Sequence, residues 1–566
     1  MSAKKTTGSK PELLPEICTT FADKFKQVNG VMCFMLDVLP LNVSAGLELS
    51  SFRRAGLFKR YFGIDTWLLT DFYQPHSLTY AINQIRLGRM DNVRLINLYD
   101  YLQDINRGRH EKVQAKLKIN SAWKVRPFRE GSPSQLVLDP AGNALMYLNR
   151  SPDGTLEFVN YIRNNTITQR DTYDSLGFIS KTEFIDQPGN FTRAALYFRP
   201  DHTIALSETF SRPPKEGDKP VVETINIYDR SGYTIQRFTF HDELVAYWLL
   251  LLLNDPNSTY FVIVDQIMEY QRFLIEVKRQ RKHYSNIITM GVSHNCHVVD
   301  PQDPLNSQLG DNYRFLFDQR QQVDRVITLT QRQKDDVAAR FKENANPATV
   351  IPHHFTAPQP LKKGENAEGA LPEHAVIHVG RFNASKGQDL ALDSFKLVLE
   401  QYPEATLHFY GSGPEEAVIK KRVEEEGLAD SVFFHGFVPD LRQVYATAAL
   451  MICTSRHEGW SLVIEEALAA GCPVVSFDCN YGPAAMIDEG KNGYLVPPLD
   501  ITALAGRVVE ILKDPKLRAK FSKAAVQSVK RFAPEQIATQ WGELLNELLD
   551  NNLKEREALK QPASGS

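Results

Sequence analysis

The sequence predicts an α/β protein with two regions of parallel sheet, the first of which is interrupted by an antiparallel β-rich insertion. Three observations lead to this fold class. Strand-like apolar runs alternate with helix-like segments from about 30 to 110 and again from about 241 to 355. Short strands separated by turn residues fill the interval between these stretches. A second alternating series begins near residue 375.

Length and composition indicate an ordinary globular protein. The chain has 566 residues, enough for roughly three or four domains. Hydrophobic residues make up 43% and charged residues 23%. A net charge of −3 gives no reason to expect nucleic-acid binding, so any site for a polyanion must be local.

Three features indicate the cytoplasm. The six cysteines include no CxxC pair, and several lie in apolar runs, which is typical of reduced, buried thiols. The start, "MSAKKTTGSKPELLPE", lacks the apolar core of a signal peptide. The run "LVAYWLLLLL" at 244–253 is too short to cross a bilayer of about 30 Å, so we expect a buried helix there.

The first parallel-sheet region starts with the buried-strand run "VMCFMLDVL". A helix is predicted over "LELSSFRRAGLFKRYF", followed by strands over "TWLLTDFY" and "VRLINLYDYL". The insertion then reads as hairpins, because turn sequences recur between its strands: "DPAG" at 139–142, "PDG" at 152–154 and "RPD" at 199–201. After it the strands resume with "YFVIVDQI", "NIITMGVSH" and "RVITLT".

These patterns give a domain plan, and the last segment, "PEQIATQWGELLNELLDNNLKEREALK", has helical spacing of its apolar residues. The predicted parts are an N-terminal tail (1–29), a first Rossmann-like domain (30–111 and 241–355), the β-rich insertion (112–240), a second Rossmann-like domain (356–535) and a C-terminal helix (536–560) that packs back on the first domain.

The segment "HVGRFNASKGQDLALDSF" at 378–395 predicts an anion site. A strand ends at Gly380, a loop follows, and a helix begins near Gly387. Helix N-termini bind anions through free N–H groups, and doubly wound sheets bind ligands at the carboxyl ends of their strands. Arg381 and Lys386 add two cations to this loop. The alternative is a solvated loop with incidental charges.

A second strand–loop–helix segment, "TSRHEGWSLVIEEALAAG", carries two carboxylates. Glu458 follows the strand, and Ser461 is predicted to open a helix whose N–H groups could hold a phosphate. Glu466 comes eight residues after Glu458, a little over two helical turns, so we expect both on one side, toward a ligand rich in hydroxyl groups. Alternatively, Glu466 simply faces solvent.

Together these segments resemble the family-4 glycosyltransferases of the GT-B fold. The matching text is "HVGRFNASKGQDLAL", "FYGSGPE", "FFHGFV", "EGWSLVIEEALAAGCPVV" and "NYGPAAMIDEGKNGYLVPPLD", which covers essentially all of 375–535. Within the family the chain is similar to bacterial wall teichoic acid α-glycosyltransferases and to relatives that glycosylate serine-rich adhesins. The "SFDCNYGP" ending and the insertion text "SLGFISKTEFID" followed by "HDELVAYWLLLLL" favour that subgroup.

The resemblance implies a UDP-sugar site in the second domain. Arg381 and Lys386 fall where the family binds the donor diphosphate. Glu466 falls where it holds the ribose hydroxyls, and Glu458 where it contacts the transferred sugar. The backbone of residues 461–463, namely Ser461, Leu462 and Val463, falls against the distal phosphate.

Further residues are implied at the nucleobase and in the first domain. The "HGF" segment, His435, Gly436 and Phe437, falls where uracil is bound. Gly46 falls in the first glycine loop, beside donor phosphate and acceptor. The chain departs from the family pattern there, with Ala45 in place of one glycine, and Ser461 also replaces a usual glycine. Neither change removes a backbone N–H, so we expect donor binding to persist.

His294, in "VSHNCHVVD", matches a histidine that the family places at the cleft, and together with Glu458 it is the predicted catalytic residue. A buried, satisfied histidine is one alternative. A metal site of His294 and His297 is another, although no third or fourth ligand is near in sequence. We read His353 and His354 as loop residues without a role. No Asp-x-Asp motif occurs, which fits metal-independent catalysis, and no cofactor is expected.

The resemblance therefore implies a retaining, metal-independent hexosyltransferase of the cytoplasm, with peripheral association at the inner face of the membrane as a further expectation. The expected donor is UDP-GlcNAc or UDP-glucose, and the expected acceptor is a hydroxyl of wall teichoic acid. Alternatives are Ser/Thr glycosylation of serine-rich adhesins, or a catalytically inactive glycan-binding partner of such an enzyme. In the resembling enzymes a comparable insertion joins subunits into a trimer, so we expect a homotrimer formed through 112–240.

Overall fold

The structure is a computed structural model of the chain. It describes residues 32–36, 46–75, 93–105, 113–187, 190–213, 215, 218, 220–265, 267–318, 322–341, 348–355 and 370–560. The predicted tail at 1–29 lies outside them. Contacts divide the chain into two compact units, which we call the N-terminal unit (32–56 and 65–287) and the C-terminal unit (57–64 and 288–566). The predicted domain bounds stay predictions.

The N-terminal unit begins with parallel strands in the order β14-β1-β2-β3. These strands are β1 (Met32–Leu36), β2 (Thr66–Thr70), β3 (Val93–Asn97) and β14 (Tyr260–Val264). The helices that accompany them are α1 (Gly46–Phe62), α2 (Leu98–Leu102), α3 (His241–Leu252) and α4 (Ile267–Arg279). Every residue of β14 is buried, as expected for a strand with helices on both faces.

One predicted strand is partly wrong. The run "VRLINLYDYL" forms a strand only as far as Asn97, and α2 follows at once. The Asn97 side chain accepts hydrogen bonds from the N–H groups of Tyr99 and Asp100, at 3.0 and 3.2 Å. This N-cap satisfies donors that a helix start leaves free, which ends the strand. The signal was an Asn followed by an acidic residue in the first turn.

The apolar run near residue 244 is a buried helix, as predicted. Helix α3 has an acidic first turn, Asp242 and Glu243, and the Glu243 carboxylate accepts the N–H of Phe240 at 3.2 Å. Trp248 and Leu249 are fully buried. Among the helices of the described residues, none is both long and apolar enough to cross a membrane.

The insertion is one antiparallel sheet of ten strands, β4 to β13, in which each strand pairs with its neighbour in sequence. The strands are β4 (Lys124–Pro127), β5 (Gln135–Leu138), β6 (Ala144–Arg150), β7 (Leu156–Arg163), β8 (Thr166–Tyr173), β9 (Ile179–Asp186), β10 (Phe191–Phe198), β11 (Ile204–Ser211), β12 (Val221–Tyr228) and β13 (Thr234–Phe238). The predicted turns separate them, with Gly142 and Gly154 at positive φ.

In the C-terminal unit, three strands run in parallel in the order β15-β16-β17. They are β15 (Ile287–Ser293), β16 (Arg325–Thr328) and β17 (Ala348–Val350), with helices α5 (Asp311–Asp318) and α6 (Gln331–Phe341). All seven residues of β15 are buried. His294 is therefore the first residue beyond a fully enclosed strand.

The second α/β region is a six-stranded parallel sheet in the order β20-β19-β18-β21-β22-β23. Its strands are β18 (Ala375–Val379), β19 (Thr406–Tyr410), β20 (Val432–Phe434), β21 (Leu450–Cys453), β22 (Val474–Phe477) and β23 (Gly493–Val496). Its helices are α7 (Gln388–Gln401), α8 (Glu416–Glu425), α9 (Arg442–Thr447), α10 (Leu462–Ala469), α11 (Pro483–Met486), α12 (Ile501–Lys513) and α13 (Pro515–Ser528).

The chain ends in the predicted long helix, α14 (Pro534–Lys560). Its first turns contact the last turns of α1, where the rings of Trp541 and Phe58 meet edge to face at 5.1 Å. The Tyr61 hydroxyl donates to Glu535 at 2.6 Å. Farther along, Glu547 accepts a hydrogen bond from Arg325 of β16 at 2.5 Å. Helix α14 is thus fixed by both ring packing and charged contacts.

Candidate active site

Two loops meet at the carboxyl ends of neighbouring strands. Strands β18 and β21 pair in parallel, so the loops that follow them, 380–387 and 454–461, lie side by side. Gly387 makes this approach possible. It has φ of +66°, and a Cβ there would stand 2.2 Å from the carbonyl oxygen of Thr454. The Arg456 N–H donates to Ser385 at 2.8 Å, which ties the loops together.

The loops join two of the predicted site residues in an ion pair. The Lys386 ammonium donates to Oε1 of Glu458 at 2.6 Å, and Glu458 is 6% exposed. The Ser455 hydroxyl donates to the same oxygen at 2.7 Å. Burial alone lowers the pKa of Lys386, but the charge and hydrogen bond of Glu458 outweigh it, and the pKa is raised. Lys386 is therefore held as a cation against a nearly buried carboxylate.

Arg381 is the exposed cation of the first loop. Its guanidinium has no hydrogen bond or ion pair within the described part of the chain, whereas its carbonyl accepts from Gln388 at 3.0 Å. By contrast, Arg456 is committed to structure, since it forks onto both oxygens of Asp389 at 2.7 and 3.1 Å. The loop thus exposes the Arg381 guanidinium, while Arg456 and Asp389 hold the adjoining backbone in place.

Helix α10 begins where the sequence predicts, just after Ser461. Ser461 has φ of +79°, a conformation that costs an L-residue about 1–2 kcal/mol and favours glycine. This backbone fits the glycine that the family resemblance implies at this position. Leu462 and Val463 form the first turn, whose N–H groups have no partner inside a helix. Glu458 lies four residues before the first residue of α10, so helical spacing cannot relate it to Glu466, and the predicted basis for placing the two carboxylates on one side is wrong.

The second carboxylate is not simply a solvent-facing group. Glu466 is half-buried, and its Oε2 accepts from the Tyr445 hydroxyl of α9 at 3.3 Å. Burial, and then the charge of Glu466, raises the pKa of Tyr445, so this hydroxyl stays a donor. The neighbouring Glu465 is fully buried. Tyr445 was missed from the sequence, because nothing in "RQVYATAAL" marks it as a site residue.

The "HGF" segment follows β20 and contains stacked rings. The exposed ring of His435 lies flat on Tyr410, with centroids 4.4 Å apart and planes 9° apart. Its Nε2 is 3.0 Å from Nδ1 of the buried His408. Gly436 has φ of +65°, and Phe437 is 65% exposed. The segment therefore offers flat, exposed surface of the kind that a nucleobase can stack on.

His294 lies beside the second loop. A Cβ on Gly459 would stand 1.8 Å from the His294 carbonyl oxygen, so only glycine permits this contact. Next to it, Nδ1 of His457 is 3.2 Å from Oδ1 of Asn295. The ring of His294 stacks on His353 at 5.5 Å and 13°. His353, which we read as having no role, is therefore in contact with a predicted catalytic residue.

The metal alternative finds no support in the described residues. His297 is fully buried, its ring stacks on Tyr481 at 5.7 Å, and its Nδ1 is 3.3 Å from the Tyr481 hydroxyl. Burial lowers the pKa of His297 to about 4. No cluster of three or more His, Cys, Asp or Glu suited to a metal occurs in the part of the chain that the structure describes. His297 is a core histidine.

The structure thus brings His294, Lys386 and Glu458 together with the start of α10 in the C-terminal unit. Gly46 belongs to the N-terminal unit, where it is the first residue of α1. Two α/β regions with an antiparallel insertion, and cations, carboxylates and a helix start at strand ends, are features expected of a GT-B glycosyltransferase. Residues 365–528 match the family model "Glycosyl transferases group 1", so this region is a group 1 glycosyltransferase domain.

Two relatives resemble nearly the whole chain. The poly(glycerol-phosphate) alpha-glucosyltransferase of Bacillus subtilis (strain 168) is 25% identical over 533 residues, which cover 93% of this chain and 76% of the relative. The GtfA subunit of the UDP-N-acetylglucosamine–peptide N-acetylglucosaminyltransferase of Streptococcus gordonii is 24% identical over 535 residues, which cover 90% and 97%. The likeness therefore extends well beyond the group 1 domain.

A solved structure confirms the fold class. The crystal structure of a Staphylococcus aureus TarM mutant in complex with fondaparinux, alpha-GlcNAc-glycerol and UDP matches with a TM-score of 0.75 at 20% identity. The match covers 91% of this chain and all of that one. The predicted GT-B fold with its inserted antiparallel sheet is thus confirmed.

Proposed function

We propose that this glycosyltransferase moves GlcNAc or glucose from a UDP-sugar to a hydroxyl of wall teichoic acid with retention of the anomeric configuration. The observation that carries the proposal is the Lys386–Glu458 pair of 2.6 Å, formed by two loops that also carry the exposed Arg381 and lead into α10. Positive groups suit a diphosphate, and a carboxylate suits sugar hydroxyls. The relatives, named as a poly(glycerol-phosphate) glucosyltransferase and as a protein bound to UDP, point to the same chemistry.

The protein's part is to position the substrates and stabilise charge. Arg381 and Lys386 would take the charge that develops on UDP as the bond to the sugar breaks, together with the N–H groups of Leu462 and Val463. These groups make a divalent metal unnecessary, and no cofactor is needed because the UDP-sugar is a substrate. Glu466 would hold the ribose, and the flat surface at His435 the uracil.

Retention follows from attack on the face that the leaving group departs from. The C1–O bond to UDP breaks, the acceptor oxygen bonds to C1 on the same face, and the acceptor proton passes to a β-phosphate oxygen of UDP. Glu458 and His294 hold the transferred sugar in the orientation that this same-face step needs. No covalent enzyme intermediate is formed.

The acceptor has a second candidate, a Ser or Thr hydroxyl of a serine-rich adhesin. The likeness to the GtfA subunit over 90% of this chain favours it specifically. An inactive glycan-binding partner is the weaker alternative, because the cationic and acidic site residues are all present. We also propose a cytoplasmic location, peripheral to the membrane at most, and a homotrimer formed through 112–240.

One experiment tests the reaction class and the acceptor. The protein is incubated in EDTA with UDP-glucose or UDP-GlcNAc, and with poly(glycerol phosphate), poly(ribitol phosphate), adhesin peptide or buffer. Released UDP and the anomer of the product are measured. We expect UDP release that is greatest with a polyol phosphate, and an α-linked product. UDP release only with the peptide would favour the adhesin candidate. If the protein neither releases UDP from any sugar donor nor binds UDP, the proposal that it is an enzyme is refuted.

A further inference from the structure

A column of rings continues from His294 away from the second loop. The His294 and His353 rings are nearly parallel, at 5.5 Å and 13°. His353 in turn meets Trp460 edge to face at 6.3 Å and 88°, and Trp460 meets Phe532 at 4.9 Å and 87°. Trp460 lies between the glycine that contacts His294 and the residue that caps α10. The column therefore links a predicted catalytic histidine to the start of the phosphate-binding helix.

The backbone that carries His353 is fastened on both sides. Two residues before it, the N–H of Ile351 donates to the Thr328 carbonyl at the end of β16, at 3.0 Å. Two residues after it, the N–H of Phe355 donates to the Phe532 carbonyl at 2.9 Å. Ile351 and Phe355 are buried, at 1% and 5% exposed. His353 is thus presented from a short segment that has little freedom to shift.

His294 is constrained at its backbone as well. The close approach of Gly459 to its carbonyl leaves no room for the loop to move toward it. The backbone contact thus fixes where the His294 side chain starts, and the stack on His353 supports its ring. Catalytic groups need such support, since a displacement of about 1 Å can cost on the order of a hundredfold in rate.

We infer that His353 is a positioning residue, which holds the His294 imidazole in its working orientation by stacking and transmits the position of Trp460 to it. This inference rests on the proposed function, because it assigns His353 to the same reaction. His353 acts through His294 and does not touch the donor. Its flat ring is the property that matters, so another flat ring of similar size can replace it.

The test compares turnover and UDP affinity in matched variants. His353→Ala should lower kcat about ten- to a hundredfold and leave the Kd for UDP within about twofold. His353→Phe should restore most of kcat, because it keeps the stack. His354→Ala is the matched control, since that imidazole interacts electrostatically with Glu535 instead, and it should behave as the unmodified protein. A His353→Ala variant with unchanged kcat overturns the inference, as does failure of His353→Phe to rescue.

A double variant tests whether His353 works through His294. If it does, His294→Ala with His353→Ala should be no slower than His294→Ala alone, and multiplicative losses would overturn the inference. NMR of the imidazole resonances tests the inference about His353 separately from the proposed function, because the measurement needs no turnover. His353→Ala should shift the ring resonances of His294, and unmoved resonances overturn the inference. Absence of turnover with every sugar and acceptor would count against the proposed function alone.

Discussion

The six-stranded parallel sheet and the ten-stranded antiparallel sheet use polar residues in different ways. In the parallel sheet, polar groups gather at the carboxyl ends of strands, where Lys386 and Glu458 meet. In the antiparallel sheet they lie within the sheet itself. Glu208 of β11 accepts hydrogen bonds from the hydroxyls of Tyr99 and Tyr197, at 3.2 and 2.7 Å.

This difference follows from how strands are joined. Parallel strands are linked by crossovers, so loops at one end converge, and helix starts there are ready to bind anions. Hairpins alternate between the two ends of a sheet and gather no such set of loops. The parallel sheet therefore gathers polar loop residues at the carboxyl ends of its strands, where a binding site can form. The antiparallel sheet instead uses its polar groups in internal hydrogen bonds, and its two edge strands stay exposed.

Replacing Glu458 should give the largest effect on chemistry at the parallel sheet. Glu458→Gln should lower turnover about a hundredfold or more, because the carboxylate proposed to hold the transferred sugar is lost. UDP affinity should be retained or rise, since Lys386 is no longer neutralised by its partner. Calorimetry with UDP and a UDP-release assay measure the two effects. Equal loss of both would show that Glu458 has no separate role, and Glu426→Gln, on an exposed ion pair, is the control.

Replacing Lys386 should weaken donor binding. Lys386→Gln removes the charge but keeps an N–H that can bond to Glu458, so the fold should persist. Hydrogen bonds to charged groups contribute about 1.5–3 kcal/mol, so the Kd for UDP should rise roughly ten- to a hundredfold. The control is Lys396→Gln, whose ammonium pairs with Asp393 and Glu426 on the same sheet's surface. Calorimetry is run in EDTA, and loss of wild-type binding there would contradict the metal-independent proposal.

Replacing Glu466 should have a smaller effect on the same binding. The ribose is part of UDP, so Glu466→Ala should raise the Kd for UDP by about tenfold, with kcat at saturating donor little changed. Tyr445→Phe should give part of that effect, because its hydroxyl holds Glu466. If Glu466→Ala binds UDP normally but turns over slowly, Glu466 contacts the transferred sugar and the roles proposed for Glu466 and Glu458 are wrong.

The charged residues of the candidate site could be predicted from the sequence, whereas the residues that pack behind them could not. Gly, Lys and Glu in strand–loop–helix order marked Gly387, Lys386 and Glu458, because such loops can lie only at strand ends. His353 could not be found, since its contact with His294 joins segments that are far apart in sequence. The spacing argument for Glu466 failed for a local reason: Ser461 takes a positive φ, and the helix starts only after it.

The fold shows the same division. Turn residues located three of the hairpins of the insertion, and apolar runs located most of the buried strands, although β23 was not predicted. The strand after β2 was drawn too long, because "LYDYL" is as apolar as a strand and only the Asn97 cap stops it. Local chemistry that satisfies backbone groups thus decided the points that hydrophobic pattern left open.

Acid should destabilise the parallel-sheet region more than the antiparallel one. Burial lowers the pKa of His378 to about 4, and burial with the nearby His435 does the same for His408. Unfolded imidazoles titrate near 6.5, so the unfolded state binds more protons, and stability present above that pH is lost as pH falls toward 4. Tm should fall between pH 7 and 5. His408→Gln should reduce this loss, whereas His202→Gln, in an exposed turn of the antiparallel sheet, should not change it.

Substitutions on the two edge strands of the antiparallel sheet should affect assembly of the chain differently. Of all the changes considered, they should alter turnover least. Edge β4 carries Lys124, Arg126 and Pro127, residues that discourage pairing with another chain. Edge β13 carries one cation, Arg237, but it also exposes Ile235 at 56%, two residues after Tyr233 at 74%. Apolar side chains beside unpaired strand N–H and C=O groups are what a second copy of the chain could cover.

If the proposed homotrimer forms through the insertion, edge β13 is therefore the edge it should use. Ile235→Lys should shift the mass by light scattering from trimer to monomer at micromolar concentration. Val125→Lys, on edge β4 and 43% exposed, should leave the trimer intact. UDP release by both variants should stay within about twofold of wild type, because neither residue is among the groups proposed to bind the donor. A monomeric wild-type protein would contradict the proposed trimer. Dissociation by Val125→Lys but not by Ile235→Lys would show that the interface is at edge β4.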